Sequence, residues 1–253
     1  MEFIYMKKVM KKILIVIAIL FAIFVGLVVF EVVKQLKEES TLKKEIINYA
    51  NKDFVKDEFP ITVTTTGDCA YIEEAIKKYY KEISDNVKEI NFYLNEERLN
   101  SLLSIESLRN DRPSYQKTHE VITKTKQKIN SSMTALKELC TEEKIKNLID
   151  KEKFDDPEYY YDLYLQLMYT EQDLEDLKDI KDEMETLSKT LNDSLDKLDE
   201  MITFLQKHDS YVVYEENSFY FTDDQLLAEY NNLILELQQI NGTEEVGNNN
   251  LEL

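Results

Sequence analysis

The chain has 253 residues, and its 31 Lys and Arg against 50 Asp and Glu give a formal net charge of −19. A surplus of that size repels phosphate backbones and anionic headgroups, which excludes nucleic-acid binding and excludes lying flat on a membrane. Four Gly and two Cys leave little material for a Gly-rich phosphate loop, a Rossmann turn or a Cys-based metal site.

The first element is hydrophobic. Ile13 to Phe30 (ILIVIAILFAIFVGLVVF) is 18 uninterrupted apolar residues, or 21 if the run continues past Glu31 to Val33. At ~1.5 Å per residue this is roughly 27–31 Å, enough to cross a hydrocarbon core. The run is longer than the ~7–15-residue apolar region of a cleaved signal peptide, and no A-x-A site follows it. Residues 13–33 therefore read as a single transmembrane anchor. Lys7, Lys8, Lys11 and Lys12 flank its N-terminal end, so the positive-inside rule puts residues 1–12 in the cytoplasm and the rest outside. Residues 1–12 contribute +3 (four Lys, one Glu), leaving −22 on residues 31–253. Within the anchor, Ala18, Ala22 and Gly26 recur every four residues. Such a small-residue stripe permits close helix contact and hence a homo-oligomer.

Residues 34–67 read as a charged juxtamembrane helix ended by Pro60, then an extended linker, ITVTTTG, whose β-branched run suits helix poorly. The bundle proper is expected over residues 68–241. Its first helix starts after Asp68 as N-cap, with an inner stripe of Ile72, Ile76, Tyr79, Ile83, Val87, Ile90 and Leu94. A short apolar segment follows near Leu99 to Leu108. The next helix opens at Pro113 and turns Tyr115, Val121, Ile122, Ile129, Met133, Leu136 and Cys140 inward, with a polar gap at Thr125 and Lys126. Thr141 caps a short helix, and Asp156 with Pro157 opens another. Leu177, Ile180, Met184, Leu187, Leu191, Leu195, Leu198, Ile202 and Leu205 then form a heptad-like, coiled-coil stripe. On its outer faces Glu185–Lys189 and Asp193–Lys197 stand at i, i+4. The runs flanking Glu215-Glu-Asn-Ser218 read as a hairpin over 211–221. Thr222-Asp-Asp-Gln225 reads as a capping box for a last helix, and 242–253 as a disordered polar tail. The fold class is thus all-α: an N-terminal single transmembrane helix, then an antiparallel helical bundle with a small inserted β-hairpin.

The candidate site residues are few. Antiparallel helices over 70–94 and 113–140 would return Cys140 to within about two residues of Cys69, ~3 Å of axial rise, near enough for a disulfide. An extracytoplasmic domain would favour that bond. Two packed unbridged cysteines, or a reactive Cys69 at a helix start, are the competing readings. His119 and His208 have no partner at metal-ligand spacing, HEVIT is half a zincin motif, and DKEKFDDPE lacks a calcium-loop pattern. No metal, cofactor or catalytic set is expected. The tyrosines of YYYDLY (159–164) suit packed bundle seams. The resulting expectation is a membrane-anchored, non-enzymatic protein-interaction or envelope-scaffold module with a protein partner. A ligand- or peptide-binding module outside the cytoplasm is the alternative, and a thiol-redox enzyme a third class. The proposed contact surfaces are the 174–207 helix and the hairpin.

Overall fold

The computed structural model describes residues 37–95, 103–169, 171–216 and 218–240. Among them are eight α-helices: α1 (Lys37–Ala50), α2 (Gly67–Tyr93), α3 (Ile105–Asp111), α4 (Gln116–Leu139), α5 (Glu142–Lys146), α6 (Pro157–Met168), α7 (Glu171–Lys207) and α8 (Asp224–Ile240). Strands β1 (Val212–Tyr214) and β2 (Phe219–Phe221) form one antiparallel ribbon, with Val213 opposite Tyr220. The all-α class with one small hairpin is therefore observed. Among the described residues no helix is long and apolar enough to cross a membrane. The anchor at 13–33, with Ala18, Ala22 and Gly26, and the tail at 242–253 lie outside the described residues.

The chain divides into two compact units. The first contains residues 37–92 and 128–186. Its centre is the α2 stripe, in which Ile72, Ile76, Ile83, Val87 and Ile90 are all fully buried. The second half of α4 adds Ile129, Met133 and Leu136, and α7 adds Ile180 and Met184. Lys128 and Ser132 both hydrogen-bond Glu89, at 2.9 Å each, which fixes the register of α4 on α2. The caps at Thr141 and Asp156 form as read: Thr141 accepts from the Lys144 N–H, and Asp156 from the Tyr159 N–H ahead of Pro157.

Two expectations for this unit are corrected. Gly67, at φ +57°, is itself the first residue of α2, a conformation open to glycine without a Cβ penalty. Asp68 then sits in the first turn and accepts from the Asp155 N–H instead of capping α2. The segment over residues 37–66 is also no free linker. Helix α1 stops at Ala50 and buries Leu42, Ile46 and Tyr49. Residues 51–66 lack regular structure, yet Phe54 and Phe59 are buried and stacked at 5.1 Å. We call this segment the strap.

The second unit contains residues 93–127 and 187–240. Leu191, Leu195, Leu198, Ile202 and Leu205 of α7 are buried, as are Tyr115 and Ile122. Helix α4 starts at Gln116, three residues after Pro113. Asp111, the last residue of α3, accepts from the Lys117 and Thr118 N–H groups at 3.2 and 2.8 Å, and Tyr115 turns the corner at φ +49°. Pro113 thus precedes the corner instead of opening the helix as its position suggested. The last helix is capped by Asp223, which accepts from Gln225 and Leu226, while the Thr222 hydroxyl turns away to the Tyr211 carbonyl. Lys197 pairs with Glu200 and Glu236, where the i, i+4 reading had given it Asp193. The polar gap in α4 is real: Thr125 is fully buried and its hydroxyl meets no hydrogen-bond partner among the described residues.

Candidate functional site

In the first unit the strap is fastened by side chains that pair the polar groups of its irregular backbone. Lys52 donates to the Glu58 carbonyl and Lys88 to the Asp57 carbonyl, both at 2.6 Å. Ser84 reaches the Phe54 carbonyl at 3.0 Å, and the Tyr49 hydroxyl reaches that of Pro60 at 2.9 Å. The centre of the fastening is an ion pair on α2. Glu73 and Lys77 are 0 % and 3 % exposed and stand 2.5 Å apart, one helical turn from each other. Glu73 also accepts from the backbone N–H and hydroxyl of both Thr64 and Thr65. Lys77 donates in addition to the Thr62 carbonyl at 2.7 Å and to Glu45 at 3.3 Å. Burial alone would push the Glu73 carboxyl up. The Lys77 bond, then the Thr65 and Thr64 donors, outweigh it and bring the group down to about 2. The Glu73 carboxylate has its lone pairs used and stays ionised at neutral pH, so the pair serves to hold the strap.

The second unit holds a comparable cluster beside the hairpin. Arg112 grips Asp209 with two nitrogens, Nε to Oδ1 at 2.6 Å and Nη2 to Oδ2 at 2.9 Å, the forked geometry that makes guanidinium–carboxylate pairs specific. Nη2 also reaches the Asp209 carbonyl, and the guanidinium lies 5.2 Å from the centre of the Tyr214 ring. The Tyr115 hydroxyl completes the set, 3.0 Å from Asp209 and 2.9 Å from the Tyr214 hydroxyl. Arg112 holds the Asp209 carboxyl below its ordinary range. Burial first, and then the Tyr214 and Asp209 contacts, push the Tyr115 phenol far up. No member of the cluster changes charge near neutral pH. Its role is positional: it pins the hairpin to the turn before α4.

What the cluster positions is a surface. The ribbon has two strands, so each pairs along one side only. Tyr211 and Tyr220 are 48 % and 46 % exposed. On the other side of the ribbon Phe219 and Phe221 meet Tyr230 of α8 at 5.5 and 5.4 Å, with Phe204 of α7 alongside. Sequence reasoning singled out the hairpin but missed Arg112, which falls between the apolar segment ending near Leu108 and the helix read from Pro113. Its partner Asp209 lies 97 residues away, and no local signal connects them.

The cysteines behave differently from the sequence expectation. No disulfide joins Cys69 and Cys140, and both side chains are buried. The register explains why. The Tyr79 hydroxyl donates to the Leu139 carbonyl at 3.1 Å, and Glu89 faces Lys128 and Ser132. Cys140 is therefore level with Tyr79. Cys69 is ten positions earlier on α2, about 15 Å of axial rise away and well beyond disulfide reach. The level of Cys69 is filled by residues 150–155, where Asp150 and Asp155 hydrogen-bond Tyr71 and Asp68. Burial pushes the Cys140 thiol up to about 12, the reverse of an activated nucleophile.

The remaining candidates are structural in place. His119 stands 2.6 Å from Asp199, and the His208 ring packs on Phe204 at 4.6 Å. Tyr164 is fully buried and donates to the Ile145 carbonyl at 2.6 Å, while Tyr159 bonds Glu39. Among the described residues no group of three or more His, Cys, Asp or Glu is placed to hold a metal ion. Comparison with protein-family models, with curated proteins and with solved structures finds no match in any of the three.

Proposed function

We propose that this chain is a single-pass, N-terminally anchored protein that displays an acidic helical bundle outside the membrane and works by protein–protein contact, as an interaction or envelope-scaffold module. The observation that carries the reading is the 18-residue apolar run after four lysines, long enough to span and flanked for an N-in orientation. Two structural facts support the non-enzymatic part. The buried Glu73–Lys77 pair and the part-buried Arg112–Asp209 pair are charge-compensated and fasten the strap and the hairpin. Cys69 and Cys140 are both buried, which counts against thiol-redox chemistry at either position. Contact between anchors through Ala18, Ala22 and Gly26 would make the module oligomeric.

Labelling of intact cells tests the topology. Because both native cysteines are buried, the variant Ser210→Cys supplies an exposed thiol for a membrane-impermeant maleimide. Labelling in intact cells, together with resistance of the chain to alkaline extraction from membranes, supports the reading. Labelling only after lysis overturns the orientation, and release by alkali overturns the anchor. Unchanged crosslinking between full-length chains in Gly26→Ile removes the proposed anchor contact.

A further inference from the structure

Helix α8 is richer in apolar residues than its packing requires. Its inner stripe, Leu226, Tyr230, Leu233, Leu237 and Ile240, repeats at helical spacing, yet only Tyr230 is buried. Outside that stripe lie Leu227, Ile234 and Leu235, at i, i+7 and i+8, with Leu227 40 % and Leu235 53 % exposed. Between them are Asn231 and Gln238, polar but uncharged. A helix that merely covered the unit would turn charged residues to solvent along this line. From Leu227 to Gln238 the strip is about 16 Å long, the length of a docked helix of three turns.

Charge decides among the occupants. Residues 208–253 contain ten Asp and Glu and no Lys or Arg. A second copy of this chain would bring the same acidic segment against itself, and an anionic bilayer would be repelled as well. A helix with a leucine-rich face bordered by lysine or arginine matches both the apolar strip and the charge around it. We propose that the outer face of α8 is the docking strip for a cationic amphipathic helix of a partner protein, in the helix-on-groove mode of recognition. The inference names the partner chemistry for the interaction role proposed above and rests on that role. It does not depend on the anchor or its orientation, which the labelling experiment tests separately.

The test uses the full chain in phosphatidylcholine nanodiscs, with empty discs as blank, and fluorescence anisotropy of labelled 18-residue peptides. One peptide is an amphipathic Leu/Lys helix, one has the same composition in a non-amphipathic order, and one carries Glu in place of Lys. A chain of net charge −19 attracts any cation, so the decisive quantity is the difference between variants. The amphipathic cationic peptide is expected to bind at least about tenfold more tightly than its reordered twin, and the Glu peptide not to bind. The double variant Leu227→Ser/Leu235→Ser should lose that tenfold advantage, while Ile61→Ser, at a comparably exposed apolar site, should keep it. A photo-crosslinking residue in place of Leu227 should capture the cationic peptide, and one in place of Ile61 should not. The proposal is overturned if Leu227→Ser/Leu235→Ser binds like the parent, if the Glu peptide binds equally well, or if the strip proves to hold a second copy, seen as a dimer that this double variant dissolves.

Discussion

Replacing Glu73 by Gln should remove the main fastening of the strap, and its magnitude follows from the site. The carboxyl titrates at about 2 against an ordinary 4.5, and at about 1.4 kcal/mol per unit this corresponds to roughly 3 kcal/mol at neutral pH. The glutamine amide must also turn an NH2 toward donors from Thr64, Thr65 or Lys77. Lys77 keeps the Thr62 carbonyl and Glu45 as acceptors, which limits the added cost of its lost partner. The expected loss is about 3–4 kcal/mol, or roughly 10 °C in melting temperature for a chain of this size. Urea unfolding followed by far-UV circular dichroism measures it. The sign with pH is fixed: a carboxyl lowered in the folded state contributes fully above its ordinary value and loses that contribution as pH falls from about 4.5 toward 2. The gap between parent and variant should therefore close across that window. A cost below 1 kcal/mol at neutral pH, or a gap that stays constant down to pH 3, would refute the reasoning.

Three further outcomes are expected. Thr125→Val should raise stability by about 1 kcal/mol, because the buried hydroxyl it removes has no hydrogen-bond partner among the described residues; thermal melts of the two proteins decide this. In oxidised, unreduced protein both thiols should resist labelling until denaturant is added and then react without reductant; a thiol count of zero in denaturant would restore the disulfide. Asp209→Asn breaks the Arg112 fork at a cost of about 1.5–3 kcal/mol. It should cut hydrogen-exchange protection at Val213 and Tyr220 while leaving Ile83 of the first unit protected, and equal loss at all three sites would refute the local role.

The parts of the fold legible in sequence are those set by neighbours within a turn or two. The α2 stripe from Ile72 to Ile90 is buried as its spacing implied, and the Thr141 and Asp156 caps need only the next three residues. The strap was illegible because its carbonyls are satisfied by Lys77 and Lys88, 15 and 31 residues distant. A β-branched stretch with no periodicity carries no trace of such partners. The cysteine register failed for a related reason. The offset is set by contacts such as Tyr79 with Leu139 and Glu89 with Lys128 and Ser132, which are 60, 39 and 43 residues apart. Pairing between helices is a long-range quantity that stripes alone leave undetermined. The Arg112 fork lay beyond any local pattern, and the exposed face of α8 emerges only when its leucines are compared with what they touch.

The burial of α1 has a mechanical consequence. If residues 13–33 span the bilayer, only residues 34–36 separate the anchor from a helix that is already part of the first unit's core, a reach of at most about 11 Å. Whatever loads the N-terminal end of α1 therefore loads Leu42, Ile46 and Tyr49 in the core of the first unit before it reaches the strap.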